Sequence, residues 1–186
     1  DGAEHTIDSL NVSGDNFVGG EGLKSYSGFP TVIEVCNNTL NTFTYQLKDN
    51  TKAQNYTINK VEGKLTITKV ATPIVVTGNN AEKTYDGTPL ANPGYTYTGE
   101  TKGDDELKVE TSGSITDAGK VDNTVSSVKV MRGNVDASKN YTFGEHKNGT
   151  LEVKKATPTV TAPKKRTGLV YTGSAQKLVT AGTTTG

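Results

Sequence analysis

One segment of this chain occurs twice, and that constrains the fold more than any bulk property. Residues 55–73 read Asn-Tyr-Thr-Ile-Asn-Lys-Val-Glu-Gly-Lys-Leu-Thr-Ile-Thr-Lys-Val-Ala-Thr-Pro, and residues 140–158 read Asn-Tyr-Thr-Phe-Gly-Glu-His-Lys-Asn-Gly-Thr-Leu-Glu-Val-Lys-Lys-Ala-Thr-Pro. Each copy has an aromatic–polar–apolar run, a glycine, an alternating run and a closing Ala-Thr-Pro. The alternation has period two. It puts Tyr56, Ile58, Leu65 and Ile67 on one face, and Tyr141, Phe143, Leu151 and Val153 on the equivalent one. Gly63 and Asn148-Gly149 are residues that tolerate turns. The pattern predicts a hairpin that closes one module, followed by a proline joint to the next.

The spacing supports folded structure. Asn140 lies 85 residues after Asn55, whereas Gly149 lies 86 after Gly63. The extra residue falls in the predicted loop, where it leaves strand register intact. Other positions keep the 85-residue offset: Asp1-Gly2 with Asp86-Gly87, Gly14 with Gly99, Ser27-Gly28 with Ser112-Gly113, and Phe43 with Val128. Similarity at this period predicts an array of domains. The expected modules are residues 1–68, a complete repeat at 69–154, and the start of a third at 155–186. The first opens inside a Tyr-Asp-Gly-type turn. On this alignment it lacks the strand that residues 74–77 supply in the second, so it is expected to be the less stable. The corresponding strand of the third, residues 157–161, is expected to be unpaired and able to fill such a gap in another molecule.

Within 69–154, strands are predicted at 74–77, 95–98, 107–111, 125–131, 140–143 and 150–154. Pro89, Pro93, Asp104-Asp105, Asp117-Ala-Gly119 and Gly133-Asn134 serve as turn signals between them. Residues 118–124 are the one stretch compatible with a helical turn. No 3.6-residue apolar period is sustained anywhere, so the expected class is all-β: small sandwich-like or β-grasp-like domains in an elongated array.

Charge excludes two classes of partner. Twenty Lys+Arg balance twenty Asp+Glu, so nothing calls electrostatically for nucleic acid or an anionic membrane. Hydrophobic residues make up 32% of the chain, which suits small modules with thin cores. No apolar run has the length of a membrane-spanning helix. The lone cysteine, Cys36, aligns with Val121 and is read as a small buried hydrophobe.

Motifs for catalysis are absent: no Gly-x-Ser-x-Gly, His-Glu-x-x-His, phosphate-binding Gly-x-x-x-x-Gly-Lys-Ser/Thr or Cys-x-x-Cys occurs. No catalytic residue, metal ligand or cofactor is therefore assigned. His5 and His146 fall in different modules, which is poor spacing for zinc. Asp104-Asp105-Glu106 could form a calcium loop, but module one has Gly19-Gly20-Glu21 there, so the cluster is read as a solvated loop outside the repeat plan. Lys164-Lys165-Arg166 is read as a solvated linker face. The Asn-x-Ser/Thr sites at Asn11, Asn37, Asn55, Asn140 and Asn148 are read as structural. Tyr95 and Tyr97 suit either sugar stacking or a β core, and the core is the preferred reading.

The Tyr85-Asp-Gly87 turn, the Asn-Tyr-Thr runs at Asn55 and Asn140, Gly-x-Leu-Thr-Ile-Thr-Lys at 63–69 and the Ala-Thr-Pro joints together resemble MBG-type ("YGX") domains of bacterial surface and secreted proteins. The resemblance spans nearly the whole chain. It implies an extracellular, cell-wall-attached, multidomain protein in which these repeats act as a stalk, with neighbouring repeats of the same chain as partners. It also implies two alternatives: an adhesin module that binds glycans or mucin, and an accessory domain of a secreted enzyme. A lysine–asparagine isopeptide cross-link is a further feature of surface stalks that sequence cannot place.

Overall fold

The computed structural model of the chain describes residues 1–185. Its strands, in order, are β1 (Leu23–Ser27), β2 (Cys36–Asn41), β3 (Thr44–Leu47), β4 (Gly63–Ile67), β5 (Val70–Gly78), β6 (Ala81–Thr84), β7 (Tyr95–Thr98), β8 (Asp105–Ser112), β9 (Gly119–Arg132), β10 (Val135–Asp136), β11 (Tyr141–Phe143), β12 (Gly149–Lys154), β13 (Thr159–Thr161) and β14 (Thr183–Thr185). Two three-residue 3-10 turns, Ala53–Asn55 and Ser138–Asn140, are the only helical elements among the described residues. The fold is all-β.

The chain forms two compact units. Unit 1 is Asp1–Val76, Thr96–Glu110 and Ser126–His146; unit 2 is Thr77–Tyr95, Thr111–Val125 and Lys147–Gly186. In unit 1, β1 pairs antiparallel with β3, β2 antiparallel with β4, and β11 parallel with β5. Its buried apolar residues are Phe43, Leu65, Ile74, Val76, Val130, Ala137 and Tyr141. In unit 2, β12 has both edges paired. Gly119–Asn123 of β9 lies antiparallel on one side and β6 lies parallel on the other. Leu151 and Val153 are buried there, with Lys154 exposed between the strand and solvent.

The face assignment at the repeated segment agrees with the structure. Leu65, Leu151 and Val153 are buried and Ile67 half-buried, while Thr66, Thr68 and Lys154 are exposed. The hairpin does not form. β11 and β12 lie in different sheets, and Tyr56 and Ile58 belong to no strand. Both edges of β12 are already taken, so β11 instead bonds to β5. Gly63 and Gly149 are the first residues of β4 and β12, and their φ angles are not positive. Glycine serves there for close approach. A Cβ on Gly149 would overlap the Gly78 and Asn79 carbonyl oxygens, so the backbone would have to shift, whereas one on Gly63 would make only ordinary contact with the Asn41 side chain. Gly149→Ala is therefore expected to destabilise by about 1–3 kcal/mol, the cost of overpacking, and Gly63→Ala far less. Urea unfolding of the two variants measures the difference.

Three further expectations change. Residues 118–124 hold no helical turn, because they form the part of β9 that pairs with β12. Residues 157–161 are not left unpaired, since β13 pairs antiparallel with β14. Two strands, β5 and β6, precede the Tyr85-Asp-Gly87 turn, where the sequence suggested one.

Candidate functional site

The densest polar cluster in unit 1 is built around Arg132, the last residue of β9. Its Nε donates to Asp105 Oδ1 at 2.6 Å and its Nη2 to Asp105 Oδ2 at 3.0 Å, a bidentate pair. Nη1 donates to Glu34 Oε1 at 3.0 Å. The Asp105 side chain is 1% exposed and that of Arg132 22%. Tyr141 OH donates to Asp105 Oδ2 at 2.8 Å and accepts the Lys102 backbone N–H at 2.9 Å. Burial pushes the Tyr141 pKa up, opposed by the Lys102 N–H and reinforced by Asp105. The Asp105 hydrogen bond raises that of Arg132.

Glu34 carries the cluster outward. Its Oε2 accepts from Asn140 Nδ2 at 2.9 Å, and Asn140 Oδ1 accepts the Val35 N–H at 2.7 Å. Lys139 Nζ lies 3.3 Å from the same carboxylate. Residues 34–35 are thus bonded to residues about a hundred positions later. Asp105, Glu34 and Tyr141 are each engaged by a neighbour, so the arrangement is that of a clamp.

Some of these contacts recur at the sequence offset. The 3-10 turns at 53–55 and 138–140 lie 85 residues apart, and each is followed by the tyrosine of Asn-Tyr-Thr. Tyr56 OH accepts the Val18 N–H at 3.1 Å, as Tyr141 accepts that of Lys102. The Val18 bond lowers the Tyr56 pKa, but hydrogen bonding to Glu21 and burial outweigh it and raise it. The carboxylate run does not recur: residues 19–21 read Gly-Gly-Glu where residues 104–106 read Asp-Asp-Glu. A buried asparagine also occurs in each copy, 82 rather than 85 residues apart. Asn41 Nδ2 donates to Ile7 O at 2.9 Å, and Asn123 Nδ2 donates to Asn92 O at 2.9 Å and also to Asn79 O. The two asparagines sit opposite Gly63 and Gly149 respectively.

The opening turn recurs as well. Asp1 Oδ1 accepts the Ala3 N–H at 3.1 Å, and Asp86 Oδ1 accepts the Thr88 N–H at 2.9 Å. Gly2 and Gly87 follow at φ 77° and 80°, and Gly14 and Gly99 at 88° and 93°. Glycine takes such angles without the steric cost of a Cβ. Lys83 Nζ, followed by the Thr88 bonds, holds the Asp86 carboxyl well below the usual range.

The remaining sequence candidates resolve one by one. Asp104 is exposed, Asp105 is engaged by Arg132, and Glu106 pairs with Lys108 at 2.6 Å. His5 contacts Asp1 at 2.8 Å, and His146 Nδ1 accepts the Val76 N–H at 3.2 Å. No group of metal-ligating side chains is found among the described residues. Cys36 is half-buried, its Sγ 3.6 Å from the Leu65 carbonyl, and Val121 is 36% exposed, so neither is the buried hydrophobe expected. Both lie near strand edges, where the small side chain is only partly covered. Tyr95 is half-buried, and Tyr97, two residues on along β7, is exposed rather than in a core. Lys164-Lys165-Arg166 is exposed. Asn140 is buried in the clamp and Asn148 receives the Val125 N–H at 3.1 Å, while Asn11, Asn37 and Asn55 are exposed.

The Arg132 clamp was not foreseen. Its members are scattered over 34, 105, 132 and 141, and no spacing rule joins them. No protein-family model, curated protein or solved structure matches the chain.

Proposed function

We propose that this chain is a non-catalytic structural spacer, a tandem array of small β-domains in an extracellular bacterial surface or secreted protein, and that it bears tension along its length. One observation carries the reading. Between residues 70 and 154, the early strands run parallel to the late ones: β5 beside β11 in unit 1, and β6 beside β12 in unit 2. Tension enters ahead of the early strand and leaves beyond the late one. It therefore pulls each pair in opposite directions along the strand axes. The backbone hydrogen bonds of a pair then share the load, instead of breaking one after another as when an end is peeled away.

Three other observations support the reading. The tyrosine and Asp-Gly contacts recur near an 85-residue spacing, as a repeat requires. Of the two Ala-Thr-Pro segments, 71–73 lies within β5 and 156–158 lies between β12 and β13; in both, proline fixes φ and favours extended geometry at its predecessor. The resemblance to MBG-type surface repeats points the same way and supplies the extracellular location.

The competing role is glycan or mucin binding through exposed tyrosines. Tyr95 and Tyr97 align with Leu10 and Val12, so no aromatic set recurs from copy to copy. Glycan arrays and mucin-coated surfaces are expected to show no saturable binding. Saturable binding to a defined sugar, lost in Tyr97→Ala, would replace the spacer with an adhesin.

A further inference from the structure

Within unit 2, β6 is an edge strand. It pairs with β12 on one side, and among the described residues no strand pairs with the other. The Tyr85 N–H continues the ladder to Lys154 O at 2.8 Å. Successive residues of a strand turn their N–H and C=O groups to opposite edges. Ala81, Lys83 and Tyr85 therefore bond towards β12, while Glu82 and Thr84 face the outer edge. A row of this kind is a template on which another chain can pair.

The chain itself returns along that edge. Gly94 O accepts the Asn79 N–H at 3.0 Å, Asn92 Nδ2 donates to Asn80 O at 3.2 Å, and Lys83 Nζ donates to Thr88 O and, at 3.4 Å, to Pro89 O. One set of numbers rises as the other falls, so residues 88–94 run antiparallel to 79–83. They complete no ladder there. Pro89 and Pro93 have no N–H, and Leu90 gives its N–H and C=O to Ile115, at 2.8 and 3.1 Å. Side chains replace the ladder bonds. Asn92 pins one end of this strap and Lys83 the other, where its ammonium also meets Asp86 Oδ1 and Thr88 Oγ1 at 2.7 Å each. The Lys83 side chain is only 20% exposed and stands opposite the buried Val153, an inward-pointing charge on an edge strand.

We propose that the outer edge of β6 is a self-pairing surface held shut by the strap 88–94, with Lys83 as its latch, and that its occupant when the strap is freed is a second copy of this chain. A twofold axis at Lys83 sets Glu82 of each copy against Thr84 of the other and joins their outward N–H and C=O groups. Such a contact uses the same surface twice and closes as a dimer. The axis also brings the two Lys83 side chains together, so the lysine opposes pairing by its charge as well as by holding the strap. This goes beyond the spacer role and does not depend on it.

The test compares the full chain with Lys83→Met, which keeps the side-chain length and removes the ammonium, and with Asn92→Ala, which frees the other end of the strap. Far-UV circular dichroism checks that each variant is folded. Amide exchange followed by NMR should speed at least ~10-fold at Glu82 and Thr84 in Lys83→Met, with little change at Lys83 and Tyr85, which bond to β12. Sedimentation velocity should show a dimer in Lys83→Met that neither the parent chain nor Lys83→Arg forms at the same concentration. Exchange and sedimentation equal to the parent's in both variants would overturn the proposal. Faster exchange without a dimer would overturn the second copy as occupant, and open-ended oligomers would overturn the twofold pairing. If Lys83→Met does not fold, the same two readouts on Asn92→Ala decide.

Discussion

Arg132→Ala is expected to lower stability by about 3–5 kcal/mol, the range for removing one partner from a buried ion pair. The substitution leaves the Asp105 carboxylate, 1% exposed, with the Tyr141 hydroxyl but without its bidentate cation. It also takes a donor from Glu34, at 3.0 Å, and so loosens the tie to the Asn140 turn. The loss comes chiefly from a stranded charge, so removing both charges should do less harm. Arg132→Met with Asp105→Leu is expected to recover much of the stability, since a packed apolar pair often equals a buried ionic one. Urea unfolding followed by circular dichroism suits a chain without tryptophan. A loss below ~1 kcal/mol for Arg132→Ala, typical of exposed pairs, would reduce the clamp to a surface contact.

Leu151→Ala is the second large effect, at about 2–5 kcal/mol. Leu151 is fully buried, and β9 and β6 occupy both edges of its strand, which limits collapse into the cavity. Glu152, one residue on, points the other way and lies 3.1 Å from Lys120, with side chains 30% and 65% exposed. Glu152→Ala should change stability by less than about 1 kcal/mol. Equal, mild effects at the two positions would mean that the strand's faces are assigned the wrong way round.

The contrast between these neighbours was legible in the sequence, and the reason is physical. Period-two alternation is a local property, fixed by the geometry of one strand, so Leu65, Leu151 and Val153 declare their faces without knowledge of a partner. The strand at 95–98 and the core of the one at 149–154 were readable on the same ground. Pairing is a different matter. Tyr141 and Phe143 carry the same pattern whether they form a hairpin with β12 or lie parallel on β5, and the choice depends on edges occupied by residues some seventy positions away. β6, Ala-Glu-Lys-Thr, has almost no apolar signal, yet its placement on β12 removes the hairpin.

The site was legible only where it repeats. The offset of 85 flagged Asn-Tyr-Thr and Asp-Gly, and both prove to be anchoring positions: Tyr56 and Tyr141 each hold a loop N–H, and Asp1 and Asp86 each hold a turn. Arg132 and Glu34 had no signal at all, because an ion pair spanning 98 positions leaves no local pattern.

The spacer reading rests on the direction in which strands are loaded, and single-molecule extension tests that directly. In a Cys36→Ala background, the chain is to be held either by its two ends or through cysteines placed at residues 84 and 154, the adjacent ends of β6 and β12. Held by its ends, the β6–β12 pair is sheared. Held at 84 and 154, it is peeled, and its hydrogen bonds break in turn. The account predicts a clearly higher unfolding force for the end-held chain. Equal forces in the two geometries, or end-to-end extension with no force peak, would contradict it.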